Sequence, residues 1–147
     1  MGLSIVTHRV NEAWFREAVQ RRHTITPDAL ARNPKAIRLV LVDDALTMKD
    51  ATNDMSLYHL VDSTHGDGIV VAYFPRLRVY AEPDVWNPGS QINPHVRSLA
   101  EDIARRKLAI ERIVPLHGQQ IQPFGEFEKI VADWASRRST TTTLPRP

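Results

Sequence analysis

The sequence contains no cysteine and no apolar run long enough to cross a membrane. The first absence excludes disulfides, thiolate metal sites and a cysteine nucleophile, and it is typical of a reducing, cytoplasmic compartment. The longest apolar stretch, residues 69–74, falls far short of the about 20 residues that a spanning helix needs. Basic residues outnumber acidic ones only slightly, 19 against 17, and they are dispersed along the chain. We therefore expect neither a membrane nor a nucleic acid as partner.

The apolar periodicity divides the chain into short strands and a few amphipathic helices. It predicts strands at 3–7, 37–42, 46–48, 56–61, 69–74, 78–81 and 113–115, and helices at 12–22, 28–32, 94–107 and 124–136. The short spacing of the central strands favours antiparallel pairing. The predicted fold class is therefore α/β (α+β), a mainly antiparallel sheet with helices on one face. A single domain is predicted over residues 1–138, followed by a disordered tail at 139–147, which is rich in threonine and proline.

Histidine and carboxylate side chains are the transition-metal ligands that this sequence offers, since it has six histidines and no cysteine. His65, Asp84 and His117 each follow a predicted strand, and Gly66 and Gly118 stand next to the two histidines. Loops after strands present side chains at the edge of a rigid sheet, and glycine lets the backbone approach an ion closely. Taken singly, each signal is more typical of an ordinary turn than of a ligand.

Taken together and in this order, three segments resemble the late metal motifs of the metallo-β-lactamase superfamily. They are STHGDG at 63–68, VYAEPD at 79–84 and IVPLHG at 113–118, within a resemblance that covers nearly all of residues 2–136. The resemblance implies half of that family's αββα sandwich. It also implies that His65 completes a first zinc site, that Asp84 bridges two zincs and that His117 completes the second. Pro83 replaces the small residue that is usual before the aspartate.

The family's His-x-His-x-Asp-His motif, which supplies most of the ligands, does not occur in this sequence. The resemblance is therefore to the C-terminal half, and it indicates either a natural truncation or a piece of a longer protein. Three ligands leave a fourth position for water, which is the form of a catalytic zinc site, and manganese or iron suits the same ligands. The retained residues are thus either a reduced working site or a vestige.

Four other polar residues are open to a structural or a functional interpretation. His8 is a further candidate ligand, although a packed or surface histidine explains it as well. Asp67 is a candidate general base, although Gly-Asp-Gly is first of all a turn. His59 is predicted to be packed in its strand, and His95, in the first turn of a helix, is predicted to be exposed to solvent.

Half of a sandwich leaves one sheet face without a cover, because the predicted helices protect only the other. We therefore expect a homodimer or higher homo-oligomer. Two functions remain open at this point. The first is a metal-dependent hydrolase of ester, phosphoester or lactam-like bonds that uses metal-activated water on a small-molecule substrate. The second is a non-catalytic, dimerising or partner-completing domain derived from such a hydrolase.

Overall fold

The computed structural model describes residues 4–21, 25–33, 35–118 and 120–140. The elements in chain order are β1 (Ser4–His8), a 3-10 turn (Arg9–Asn11), α1 (Glu12–Ala18), α2 (Ala29–Arg32), β2 (Arg38–Val42), β3 (Ala45–Lys49), β4 (Asp54–His59), β5 (Val70–Phe74), β6 (Val79–Glu82), α3 (Pro94–Arg106), β7 (Arg112–Pro115), β8 (Gln122–Pro123) and α4 (Phe124–Thr140). Residues 139 and 140 of the predicted tail belong to α4, and residues 141–147 lie outside the described residues. Within the described part, no helix is both long and apolar enough to cross a membrane.

Six strands form the main sheet in the order β3-β4-β5-β6-β7-β8. All neighbours are antiparallel except β6 and β7, which are parallel and are connected through α3. The Asn93 side chain caps α3 by accepting from Val96 N at 3.0 Å, and Pro94 occupies the first turn. The predicted fold class, a mainly antiparallel sheet with helices on one face, is confirmed.

The core lies between this sheet and the helices α3 and α4. One register row, Tyr73–Tyr80–Ile113, is buried at the centre of the sheet. It forms a single cluster with the buried helix residues Val96, Leu99, Ile103 and Phe127 and with Trp86 from the loop after β6. Burying each large apolar side chain of this kind stabilises the fold by roughly 1.5–3 kcal/mol. This cluster therefore fixes the sheet edge that carries the candidate site.

β1 and β2 form a separate, parallel two-stranded sheet that the sequence did not predict. The helix predicted at 12–22 ends at Ala18, buries none of its residues, and leaves Trp14 57% exposed. The expectation that this helix helps α3 and α4 to cover the sheet is therefore wrong. α1 follows β1 of the small sheet and has only seven residues, about two turns. None of its residues belongs to the buried cluster between the main sheet, α3 and α4.

The sheet face opposite α3 and α4 is apolar and only partly covered. One register row across it runs Leu46–Leu57–Ala72–Ala81–Val114. Leu57 is buried, the other four residues are half-buried, and Met48 on β3 is 40% exposed. β2 of the small sheet contacts β4 of the main sheet. We call these six residues, Leu46, Met48, Leu57, Ala72, Ala81 and Val114, the open face.

Candidate metal centre

Three loops meet at one edge of the main sheet and carry the residues predicted from the sequence. The loop between β4 and β5 carries His65, while Asp84 follows β6 and His117 follows β7. Because β4 runs against β5, β5 against β6, and β6 alongside β7, these three connections share an edge. The strand order therefore brings together side chains that are up to 52 positions apart in sequence.

The His65 loop is held from both sides by hydrogen bonds. Ser98 on α3 donates its hydroxyl to Asp62 O at 2.8 Å. Asn11, which follows β1, donates its side-chain amide to Gly68 O at 3.2 Å. Gly68 has φ +80°, a left-handed conformation that glycine adopts without steric cost. The small sheet and α3 thus both position the segment that presents His65.

Asp84 stands in a left-handed conformation, φ 58°, which is uncommon for a residue with a side chain. The turn around it is closed by Glu82, whose Oε2 accepts from Val85 N at 2.8 Å and from Trp86 N at 3.2 Å. Glu82 is fully buried, and its Oε1 has no hydrogen-bond partner among the described residues. Burial raises the pKa of Glu82 to about 7, although the two backbone donors oppose the shift.

His117 follows the buried end of β7 in a tight turn. Leu116 N donates to Glu82 O at 3.1 Å, so the backbone of the Glu82 strand also anchors this turn. Gly118 N donates to Pro115 O at 2.9 Å. A Cβ at position 118 would lie 2.5 Å from Pro115 Cγ, which explains why glycine follows the histidine here.

The carboxylate of Asp84 lies between the two histidines. Its Oδ2 is 2.9 Å from His65 Nε2, and its Oδ1 is 3.6 Å from His117 Nδ1. The side chains of His65, Asp84 and His117 are 36%, 44% and 64% exposed, so the centre is open to solvent. The structure therefore brings together all three residues that the sequence singled out, around one shared carboxylate.

The spacing of these donor atoms is close to that of two ligands on one metal ion. Two ligand atoms bound at about 2.05 Å to a tetrahedral ion are separated by about 3.3 Å, and the two observed distances lie on either side of that value. Among residues 4–21, 25–33, 35–118 and 120–140, however, no group of three His, Cys, Asp or Glu side chains converges as ligands of one ion. The pairs fit a metal in donor chemistry and spacing, but each pair by itself supplies two ligands.

The two further candidates, His8 and Asp67, lie with His59 rather than with Asp84. The rings of His8 and His59 stack at 3.8 Å, and His8 Nδ1 accepts from Val10 N. Asp67 Oδ1 is 3.8 Å from His59 Nε2. Burial and the nearby His8 lower the pKa of His59. These contacts join β1 to β4 and give His8 and Asp67 a shared partner, His59, which is not one of the three residues of the candidate centre.

His95 was predicted to be exposed to solvent, and the structure corrects this. Its side chain is half-buried, and its Nδ1 lies 2.7 Å from Thr64 Oγ1. The centroid of its ring is 5.1 Å from that of His65, with the ring planes at 76°. The sequence signal was weak, because a histidine at the start of a helix is ordinarily solvated. Only the packing of α3 beside the 63–68 loop brings it to the centre.

A pocket of about 340 Å³ adjoins His117 and is lined by polar side chains that include Asn87, Gln120 and Gln122. Amide groups of this kind both donate and accept hydrogen bonds. A larger pocket, of about 730 Å³, lies along α1 and α2, and none of the three residues of the candidate centre lines it. The smaller pocket is therefore the cavity that has access to His117.

Comparison with solved structures identifies the fold. Rubredoxin oxygen:oxidoreductase from the anaerobe Desulfovibrio gigas aligns with 90% of this chain at TM-score 0.63 and 14% identity. A metallo-β-lactamase from Pontibacter korlensis aligns with 89% at TM-score 0.55 and 16% identity. A metal-soaked flavodiiron core from Synechocystis aligns with 90% at TM-score 0.58 and 10% identity. At these identities the likeness is one of fold.

The chain therefore has part of the metallo-β-lactamase fold, as its late sequence motifs predict. It spans 37%, 57% and 36% of the lengths of those three structures. No family model matches the sequence, and no curated protein matches it. The fold, and the fact that this chain spans only part of it, are therefore shown by the comparison with solved structures and not by sequence similarity.

Proposed function

We propose that the chain is a metal-dependent hydrolase whose centre is formed by His65, Asp84 and His117. The observation that carries the proposal is the position of Asp84, whose two carboxylate oxygens face one histidine each at 2.9 and 3.6 Å. Imidazole and carboxylate are the ligands that suit zinc, and also manganese and iron. The bonds expected to be hydrolysed are esters, phosphoesters or lactam-like amides.

The chain's own residues have separate tasks in this proposal. Asp84 and the two histidines hold the ion. The hydrogen bonds from Val85 N and Trp86 N to Glu82 Oε2 keep Asp84 in its left-handed conformation. When bound, the ion supplies Lewis-acid chemistry, since it activates water and polarises a carbonyl or phosphoryl oxygen. The amide-lined pocket beside His117 binds the polar part of a small-molecule substrate.

The direct test combines metal binding with hydrolysis. Protein freed of metal with a chelator is titrated with zinc, and then assayed on an activated ester and an activated phosphodiester. We expect binding in the wild type, with losses of at least tenfold in His65→Ala, His117→Ala and Asp84→Asn. Asp43→Asn is the matched control, because Asp43 is exposed and pairs with Arg9. Zinc binding that is equal in all five proteins would contradict the proposal.

The half-exposed sheet face favours a second candidate function, a non-catalytic domain that a partner completes. The open face presents a continuous apolar row from β3 to β7 that α3 and α4 do not cover. Contiguous apolar surface of this kind marks interaction sites in folded proteins. We propose that a second copy of the chain covers it as a homodimer, in keeping with the two-fold symmetry most common among oligomers.

Light scattering at micromolar concentration separates the states. A homodimer has twice the chain mass of 16.7 kDa, whereas a mass of 16.7 kDa would contradict self-association. A dimer without zinc affinity and without hydrolysis would support the non-catalytic function. A protein that binds zinc and hydrolyses either substrate would support the hydrolase.

A further inference from the structure

We propose that His95 is a positioning residue, which keeps the ring of His65 on the carboxylate of Asp84. The inference rests on the proposed metal centre and adds to it a residue that the three sequence motifs do not contain. His95 acts on the His65 ring and on the loop that carries it, and it is not itself a ligand.

The loop that carries His65 is closed at its base by a backbone hydrogen bond. Leu60 N donates to Ile69 O at 2.9 Å, and residues 61–68 between them, all of them described, form neither helix nor strand. Thr64 and His65 lie in the middle of this loop and are exposed. An exposed imidazole on such a loop has several staggered rotamers available. The orientation of the His65 ring therefore depends on the side-chain contacts of the loop.

The first two turns of α3 supply contacts to the middle of this loop. Val96 and Leu99 are fully buried in the main core, so these turns are fixed relative to the sheet. His95 and Ser98 are three positions apart and therefore share a face of the helix. Ser98, itself buried, donates its hydroxyl to Asp62 O at 2.8 Å. This face of α3 is thus the rigid surface on which the loop rests.

His95 binds the same loop two residues further on. Its Nδ1 lies 2.7 Å from Thr64 Oγ1. A hydroxyl both donates and accepts, so this hydrogen bond forms with either neutral tautomer of His95. Thr64 immediately precedes His65, so the bond constrains the backbone from which the His65 side chain starts.

The ring of His95 also contacts the ring of His65. Their centroids are 5.1 Å apart and their planes are inclined at 76°. Aromatic rings favour this edge-to-face arrangement at such a separation. His65 Nε2 is at the same time 2.9 Å from Asp84 Oδ2. Loss of His95 would leave the His65 ring, at an exposed position, to be held by its hydrogen bond to Asp84.

The first measurement uses metal-free protein, so that it does not depend on the proposed function. An ionised carboxylate only accepts hydrogen bonds, so His65 Nε2 carries the proton of the bond to Asp84. That bond slows exchange of the proton with water, and NMR of the imidazole nitrogens detects it as a signal that His65→Gln removes. We expect the signal to be lost in His95→Ala and in Thr64→Val.

Two conservative variants test whether the contact between His95 and Thr64 is responsible. Thr64→Ser keeps the hydroxyl and should keep the His65 signal. His95→Asn keeps a hydrogen-bonding atom at the position of Nδ1 but lacks the ring, and it should restore part of the signal.

The second measurement is zinc affinity, by competition with a chromophoric chelator. We expect His95→Ala and Thr64→Val each to weaken zinc binding by about 10-fold, as changes to the partners of metal ligands do. The double variant should bind no more weakly than His95→Ala, because both changes break the same contact. His8→Ala is the matched histidine control, because His8 stacks on His59.

The outcomes distinguish this inference from the proposed function. If the wild type binds no zinc, the proposed function fails, and the imidazole signal alone decides the role of His95. A His65 signal that is absent from the wild type, or unchanged in His95→Ala, overturns the inference. Equal zinc affinity in the wild type and His95→Ala also overturns it, while the centre of three motif residues stands. Losses that add in the double variant would contradict it too, because His95 and Thr64 would then act separately.

Urea unfolding of each variant in chelator recognises a variant that has lost its fold. If His95→Ala does so, His95→Gln replaces it, because glutamine has a similar length but no hydrogen-bonding atom at the position of Nδ1. It is judged by the same two measurements.

Discussion

Replacing Glu82 by glutamine is expected to change how the stability of the fold depends on pH. Glu82 is fully buried, and burial raises its pKa from the ordinary 4.5 to about 7. Because the folded protein holds this proton more tightly than the unfolded chain does, the carboxyl stabilises the fold at low pH. That contribution is complete below pH 4.5 and is lost as the pH rises through about 7. Glutamine does not titrate, so the variant lacks this dependence.

The magnitude follows from the pKa shift. A shift of one unit corresponds to about 1.4 kcal/mol, so the full effect is on the order of 3 kcal/mol. Between pH 5 and pH 8 the linkage relation gives about 2–3 kcal/mol. Glutamine keeps an oxygen that accepts from Val85 N and Trp86 N, but its buried amide adds a cost that does not depend on pH. The comparison of two pH values cancels that cost.

The assay is urea unfolding of the wild type and Glu82→Gln at pH 5 and pH 8, with chelator present throughout. We expect the free energy of unfolding of the wild type to fall by about 2–3 kcal/mol relative to the variant as the pH rises. In thermal unfolding, this corresponds to roughly 5–10 °C for a chain of this size. Parallel pH dependence in the two proteins would refute the reasoning, because it would show that Glu82 titrates alike in the folded and unfolded states.

Three further changes test the packing around the site. Gly68→Ala is expected to lower the free energy of unfolding by at least about 2 kcal/mol, because the added Cβ would lie 2.4 Å from Val10 Cγ1. Gly89→Ala is the control, because Gly89 has a similar φ of +82° but open space around it, and we expect a loss of about 1 kcal/mol. Urea unfolding measures both losses. Arg106→Leu is expected to lower the free energy of unfolding by about 3 kcal/mol, because Asp102, only 2% exposed, then loses one of its two cationic partners. Adding Asp102→Asn to the same chain should restore part of this stability. Ala72 lies at the centre of the open face. If a second copy covers that face, light scattering of Ala72→Glu should give the mass of one chain instead of two. A variant that stays dimeric would show that the interface lies elsewhere.

The sequence alone predicted five of the six strands of the main sheet, all but β8, and the three residues at its edge. Strand periodicity located β2 to β7 within a few residues, because alternating burial imposes a pattern of period two. His65, Asp84 and His117 were singled out because their segments, in this order, resemble the late metal motifs of the metallo-β-lactamase superfamily. The sheet places those strand ends together because β4 to β6 are antiparallel and β6 and β7 are parallel. Their roles as ligands stay a prediction that the metal titrations test.

Tertiary structure decided the features that depend on contacts distant in sequence. The pairing of β1 with β2, and the exposure of Trp14, follow from which sheet a segment joins, and local periodicity carries no information about that choice. Glu82 looks like an ordinary strand residue in the sequence, and only its burial in the folded chain raises its pKa and lets its carboxylate accept from Val85 N and Trp86 N. His95 reads as a solvated helix start, and only the packing of α3 against the 63–68 loop brings it to within 5.1 Å of His65. In each case the local sequence determines which helix or strand forms, whereas contacts between elements determine the environment of its side chains.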